Sequence, residues 1–264
     1  MVLRIILFGL LMVFSCGEAR AQLFLEEGKK VFAVSGGEHL SGYLLIHNTS
    51  ADPAHLKVYW EDFKYVPPYD GSKKFLPEGT APDSAGPWVT FSPQEFDIPS
   101  FGRQKVDYII HVPTVIKEGH YGVLFFERSG TKLGGNEAGL TIVTRVGCLF
   151  FIEPKNKNKD ASIQNISIKD SNLTANFTNQ GNVILIPHTT YYILQNDGTV
   201  LLRGDANKLY VPPGASAQMV IPLKQLKEGN YTLVINADLQ EGDVVVKQVG
   251  LVVDPSGQIT ATPQ

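Results

Sequence analysis

Residues 87–113 read PWVTFSPQEFDIPSFGRQKVDYIIHVP. Apolar and polar side chains alternate, the chain turns at Ser100-Phe101-Gly102, and the alternation resumes. In the second run Val106, Tyr108, Ile110 and Val112 fall on one face, and Lys105, Asp107, Ile109 and His111 on the other. Before the turn, Val89 and Phe91 alternate with Trp88, Thr90 and Ser92, and Phe96 and Ile98 follow Pro93. A period of two in runs joined by a turn predicts an antiparallel wall with one face buried. The stretch carries no chemistry of its own.

The same texture extends in both directions. Short runs rich in β-branched and aromatic residues recur between Gly, Pro, Asn and Asp, from VFAVS at 31–35 to VVVKQVGLVVD at 244–254. They come roughly every 8–12 residues, the signature of β-sandwiches. No stretch after residue 21 has the period of a normal amphipathic helix. EPKNKNKDAS, residues 153–162, lacks apolar anchors and divides the runs into two sets. The expected architecture is all-β, two tandem immunoglobulin-like β-sandwich domains: 22–153, a linker at 154–162, and 163–254. Residues 255–264, DPSGQITATPQ, are polar and are expected to be a disordered tail.

The halves echo each other. IKEGHYGVLFF (116–126) and LKEGNYTLVI (226–235) both set Lys-Glu-Gly-x-Tyr before an apolar strand. Gly serves the turn, and Tyr121 and Tyr231 can each bury a ring and tie the hydroxyl to nearby backbone, as in a tyrosine corner. Residues 65–87 form a long Pro/Gly-rich connection, a length that predicts a functional or mobile loop.

The N-terminus, MVLRIILFGLLMVFSCGEARAQ, reads as a secretory signal: Arg4, an apolar run from Ile5 to Phe14 too short for a span, and an Ala19-Arg20-Ala21 cleavage site. Lipidation at Cys16 is the minor alternative. No later run approaches ~20 apolar residues, so no transmembrane segment is expected after cleavage. Loss of Arg4, Arg20 and Glu18 moves the net charge from −3 to −4, so nucleic acid is not an expected partner. Cys148 then stands alone, and the domains must rest on their cores rather than on disulfides. Sequons begin at Asn48, Asn165, Asn172, Asn176 and Asn230. In the favoured bacterial setting they mean only surface polarity. The expected location is periplasmic or secreted.

GGEHLSGYLLIHNTSADPAHLKVYWEDF (36–63), the opening stretch, and GHYGVLFFE (119–127) together resemble the N-terminal domain of PapD-like periplasmic chaperones. They are also similar to related envelope proteins such as the WxL-interacting proteins. The likeness covers about residues 24–153; the second half is similar only as a generic immunoglobulin-like module. The resemblance implies a non-enzymatic fimbrial assembly chaperone. In that family the last strand of domain one is lent to a pilin subunit, and a basic pair in the cleft grips the subunit's terminal carboxylate. The matching strand is LTIVTRVGCLFFIEP, Leu140 to Pro154, preceded by the Gly-rich RSGTKLGGNEAG. Both of its faces are rich in apolar residues, as befits a strand with a partner. Val143, Arg145, Leu149 and Phe151 share one face and are the expected partner-binding residues. Lys29 and Lys30 are the candidate basic residues near the first strand.

Other chemistry is not encoded. The six histidines show no H-x-H or H-E-x-x-H spacing, and neither a G-x-S-x-G elbow nor a phosphate-binding loop occurs. No catalytic residue, metal site or cofactor is expected, and Cys148, among apolar neighbours, reads as a buried inert thiol. The expected partner is a secreted or envelope polypeptide such as a pilin-like subunit, bound by strand addition. Two alternatives remain: a structural or adhesion-type surface protein with tandem modules, and an enzyme or carbohydrate-binding module using the 65–87 loop with Tyr65, Tyr69 and Trp88. Val143, Leu149 and Phe151 could also simply pack against domain two.

Overall fold

The computed structural model describes residues 23–133, 140–223, 226–241 and 243–263. The signal, Cys16 and the Gly-rich segment 134–139 lie outside them. In domain one, β1 (Leu23–Leu25), β3 (His39–Asn48), β8 (Arg103–His111) and β6 (Val89–Ser92) form one sheet in the order β1-β3-β8-β6. The facing sheet runs β2 (Lys29–Val34), β10 (Leu140–Pro154), β9 (His120–Leu133), β4 (Ala54–Tyr65), β5 (Lys73–Pro77), with β7 (Glu95–Ile98) also on β4. All these pairings are antiparallel except β2 with β10. The alternation of the opening stretch holds: Val106, Tyr108, Ile110 and Val112 face inward, at most 4% exposed. They meet Leu56, Val58, Trp60, Leu124, Phe126, Cys148 and Phe150 from the opposite sheet.

Domain two repeats the plan. β11 (Ala161–Lys169), β12 (Asn172–Asn179) and β15 (Ser216–Pro222) form a three-stranded sheet. It faces β14 (Val200–Asp205), β13 (His188–Leu194), β16 (Gly229–Gln240), β17 (Asp243–Val253) and β18 (Ile259–Pro263). β18 corrects the expected disordered tail. The Asp254 carboxylate accepts from the Ser256 and Gln258 amides and shapes a turn back onto β17. Ile259 and Ala261 then pack on the core, so a five-residue period-two pattern outweighs polar composition.

One device recurs in both domains. At the end of β3, the buried Asn48 accepts the Ser50 N–H on Oδ1 and donates from Nδ2 to the carbonyls of Asp52 and Pro99. At the end of β12, Asn179 accepts from Gly181 N–H and donates to Val183 and Val211 carbonyls. Each amide satisfies loop groups that would otherwise be buried unpaired. Asn48 of the first sequon is therefore a buried structural residue.

The echoed Lys-Glu-Gly-x-Tyr motif is put to two uses. Tyr231 donates its hydroxyl to the Lys227 carbonyl, four residues upstream, as a corner would. Tyr121 instead reaches across the domain junction, and its oxygen accepts the Ile184 N–H at 2.9 Å.

The long connection from residue 65 to 87 joins the domains. β5 lies within it, and its second half hangs on the buried Asp62, which accepts from Thr80 N–H, Ala81 N–H and Ser84 Oγ. Its first half is a strap onto domain two: Tyr210 N–H donates to the Tyr69 carbonyl at 2.8 Å, and the Tyr65 and Tyr210 rings stack at 4.9 Å. Tyr65 is buried, Tyr69 is half-buried against both domains, and Trp88 lies on His120 at 4.0 Å. The three rings form no open stacking platform. The polar linker is likewise docked. Lys157 bridges Glu153 and Glu241, and Lys159 bonds Glu241 and the Leu239 carbonyl.

Candidate functional site: the half-covered strand β10

β10 is antiparallel to β9 along its length, with a register shift between Ile142 and Thr144. On its other side β2 covers only Leu149–Pro154. Among the described residues, Leu140–Cys148 therefore presents one unpaired backbone edge, the arrangement that accepts an added strand.

The expected binding residues divide along this boundary. Val143 lies on the free portion and is 53% exposed. Arg145 is on the same face but already engaged. Its guanidinium sits 4.1 Å from the Phe125 ring centroid and 5.3 Å from that of Phe75, and it donates to Tyr59 Oη at 3.2 Å and Glu61 Oε1 at 3.1 Å. Tyr59 in turn donates to Glu127 at 2.6 Å. Arg145 thus closes a wall beside the edge rather than offering a free charge. Gly147 makes room for this wall, since a Cβ there would meet Phe125 and Val123 side chains at 2.8 Å.

Leu149 and Phe151 lie beyond the free portion, under β2. Phe151 is 2% exposed and packs with Phe63 and Tyr121 at ring distances of 5.9 and 5.1 Å. Leu149, half-buried, and Ile184 of domain two join the same cluster. The structure places these two residues in the packing against domain two, the alternative weighed from the sequence. The odd positions of β10 change role where the domain boundary crosses the strand.

Where β2 begins, Lys29 pairs in register with Leu149 and lays its Nζ 4.0 Å from the Phe151 ring centroid. Lys73 lies 4.9 Å from the Tyr65 centroid, and Lys208 5.2 Å from that of Tyr210. Desolvation in the cleft holds the Lys29 pKa below its ordinary value; Glu153 opposes this, and the charges of Lys208 and Lys73 add to it. A cation lowered in this way gains from an incoming anion. Lys30 points elsewhere, bonding Glu27 at 2.6 Å. Lys73 and Lys208 escaped the sequence reading because they come from the strap and from domain two; no local spacing links them to Lys29.

Burial pushes the Cys148 thiol up to about 12, as expected of an inert thiol. Among the described residues no three His, Cys, Asp or Glu side chains are grouped to hold a metal, and no helix is long and apolar enough to cross a membrane.

No family model and no curated protein matches the sequence. Solved structures do match the fold. The class 5 fimbriae chaperone CfaA superposes with a TM-score of 0.52 at 14% identity, over 86% of this chain and 98% of that one. A chain of the chaperone–tip adhesin complex of CFA/I fimbriae biogenesis gives 0.50 at 16%, with the same coverage. The two-sandwich chain shares its overall fold with these fimbrial chaperones.

Proposed function

We propose that this chain is a non-enzymatic periplasmic polypeptide-binding protein that holds its partner by strand addition at Leu140–Cys148. The half-covered β10 carries the reading: one stretch of an otherwise fully paired central strand has an open edge. A partner segment there pairs its backbone with β10 and sets a side chain against Val143, beside the wall of Arg145, Phe75 and Phe125. Phe151 and Leu149 serve indirectly, by fixing domain two beneath the end of the edge. Lys29, with Lys73 and Lys208 behind it, receives a partner carboxylate. Fimbrial chaperones supply the precedent, and a pilin-like secreted subunit is the partner class that fits.

The test is capture from a bacterial envelope extract, with bound polypeptides identified by mass spectrometry. Wild-type protein should retain a β-rich subunit in stoichiometric amount, and Val143→Glu should release it while leaving the fold intact by circular dichroism. Undiminished capture by folded Val143→Glu protein would remove this edge from the account.

A further inference from the structure

Domain two also leaves a strand half-covered. β16 pairs with β17 along its length, but β18 covers β17 only from Val249 to Val253. Among the described residues, Asp243–Lys247 has an open backbone edge, and the outward Val244 and Val246 are 50% and 58% exposed. A β-branched edge of this kind is a pairing template.

The segment reads Asp-Val-Val-Val-Lys. Laid antiparallel on a copy of itself about Val245, it sets Asp243 opposite Lys247 of the copy and Val244 opposite Val246, and the reverse. Charge and apolarity are both self-complementary, which is the condition for a two-fold symmetric interface. Parallel pairing in register would set Asp on Asp and Lys on Lys, which is unfavourable. A one-residue slip would turn the exposed valines of one strand to the other face of the sheet. Among the described residues neither Asp243 nor Lys247 has an ion pair within the chain, so both charges are available to a partner. The occupant that fits is therefore a second copy.

We infer that β17 is a self-association edge. Two chains join antiparallel about Val245 and merge their five-stranded sheets into one. The surface lies in domain two and does not depend on the reading of β10.

Sedimentation velocity over a concentration series tests this with a charge swap. The purified chain should dimerise. Asp243→Lys or Lys247→Asp alone places two like-charge pairs in the symmetric interface and should weaken dimerisation at least about tenfold. The double variant Asp243→Lys/Lys247→Asp should restore it. A chain that stays monomeric throughout, or four proteins that dimerise equally, would overturn the inference. If a single reversal perturbs the fold, Val246→Lys on the exposed face replaces it, and persistence of the dimer in that variant would count equally against β17.

Discussion

Tyr121 of domain one accepts a hydrogen bond from the backbone N–H of Ile184 in domain two, and both residues are buried. The contact lies among the buried rings of Phe63, Phe151 and Tyr65, apart from the other polar links across the junction, such as Tyr210 N–H to the Tyr69 carbonyl and Gly119 N–H to the Asn182 carbonyl. A buried amide without a partner costs about 1–3 kcal/mol. Tyr121→Phe should therefore destabilise the protein by about that amount in urea. Tyr231→Phe, whose hydroxyl bond is exposed, should cost no more than about 1 kcal/mol. Equal losses would mean that the junction bond does not couple the domains.

Phe151 separates a packing role from a contact role. Truncation of a fully buried aromatic costs about 3–5 kcal/mol. Phe151→Ala should lower the unfolding midpoint by that measure, whereas Val143→Glu, at an exposed position, should shift it by less than about 0.5 kcal/mol. A Phe151→Ala protein of unchanged stability that fails to capture its partner would return Phe151 to direct contact.

Lys29 sets a pH and salt signature. Its folded pKa is depressed, so its charged form is a burden on the free protein, relieved as pH rises through the folded value. Lys29→Met should stabilise the free chain against urea at neutral pH. The same change should weaken partner capture about tenfold or more, the loss of one charge-assisted hydrogen bond. Capture by wild type should also decline as pH rises through the folded pKa of Lys29. Binding that is indifferent to salt and to Lys29→Met would exclude a carboxylate anchor.

His55 reports on the rim between β4 and β7. Its two ring nitrogens meet Asp97 at 2.8 Å and Glu95 at 2.7 Å, and the hydrogen bonds the ring donates to Asp97, then to Glu95, raise its pKa. A raised histidine contributes stability that is fully present below the unfolded value near 6.5 and is lost as pH climbs through the folded value. An NMR titration should place His55 above the ordinary histidine value near 6.5 and should move it down in Asp97→Asn. An identical His55 titration in the wild type and in Asp97→Asn would show that the pair does not persist in solution.

Legibility in the sequence followed locality. The faces of β8 can be read from Val106 to Ile110 because both face assignment and burial are set within one strand. The opposite faces of β10 could be read too, but the fate of Leu149 and Phe151 depends on where β2 and domain two meet the strand, which is a long-range matter. From the sequence the strap reads only as an unusually long loop, since Tyr69 gains its meaning from Tyr210. The cleft lysines come from three remote segments. β18 was missed because two apolar residues in a polar tail are too few to announce a strand, yet enough to hold one when β17 waits as a template.

If the open edge of β10 receives a partner's C-terminus as proposed, the start of β2 at Lys29 also makes the groove a ruler with a polarity. The nine positions from Leu140 to Cys148 span about 30 Å at some 3.3 Å per residue. A segment that ends with its carboxylate at Lys29 must run in the same direction as β10, head-on toward the start of β2, as if the two were one strand cut in half. The cleft would then measure from the terminus inward. It would admit a C-terminal strand of any sequence that offers an apolar residue at the right distance from its end, and it would refuse the same strand placed mid-chain.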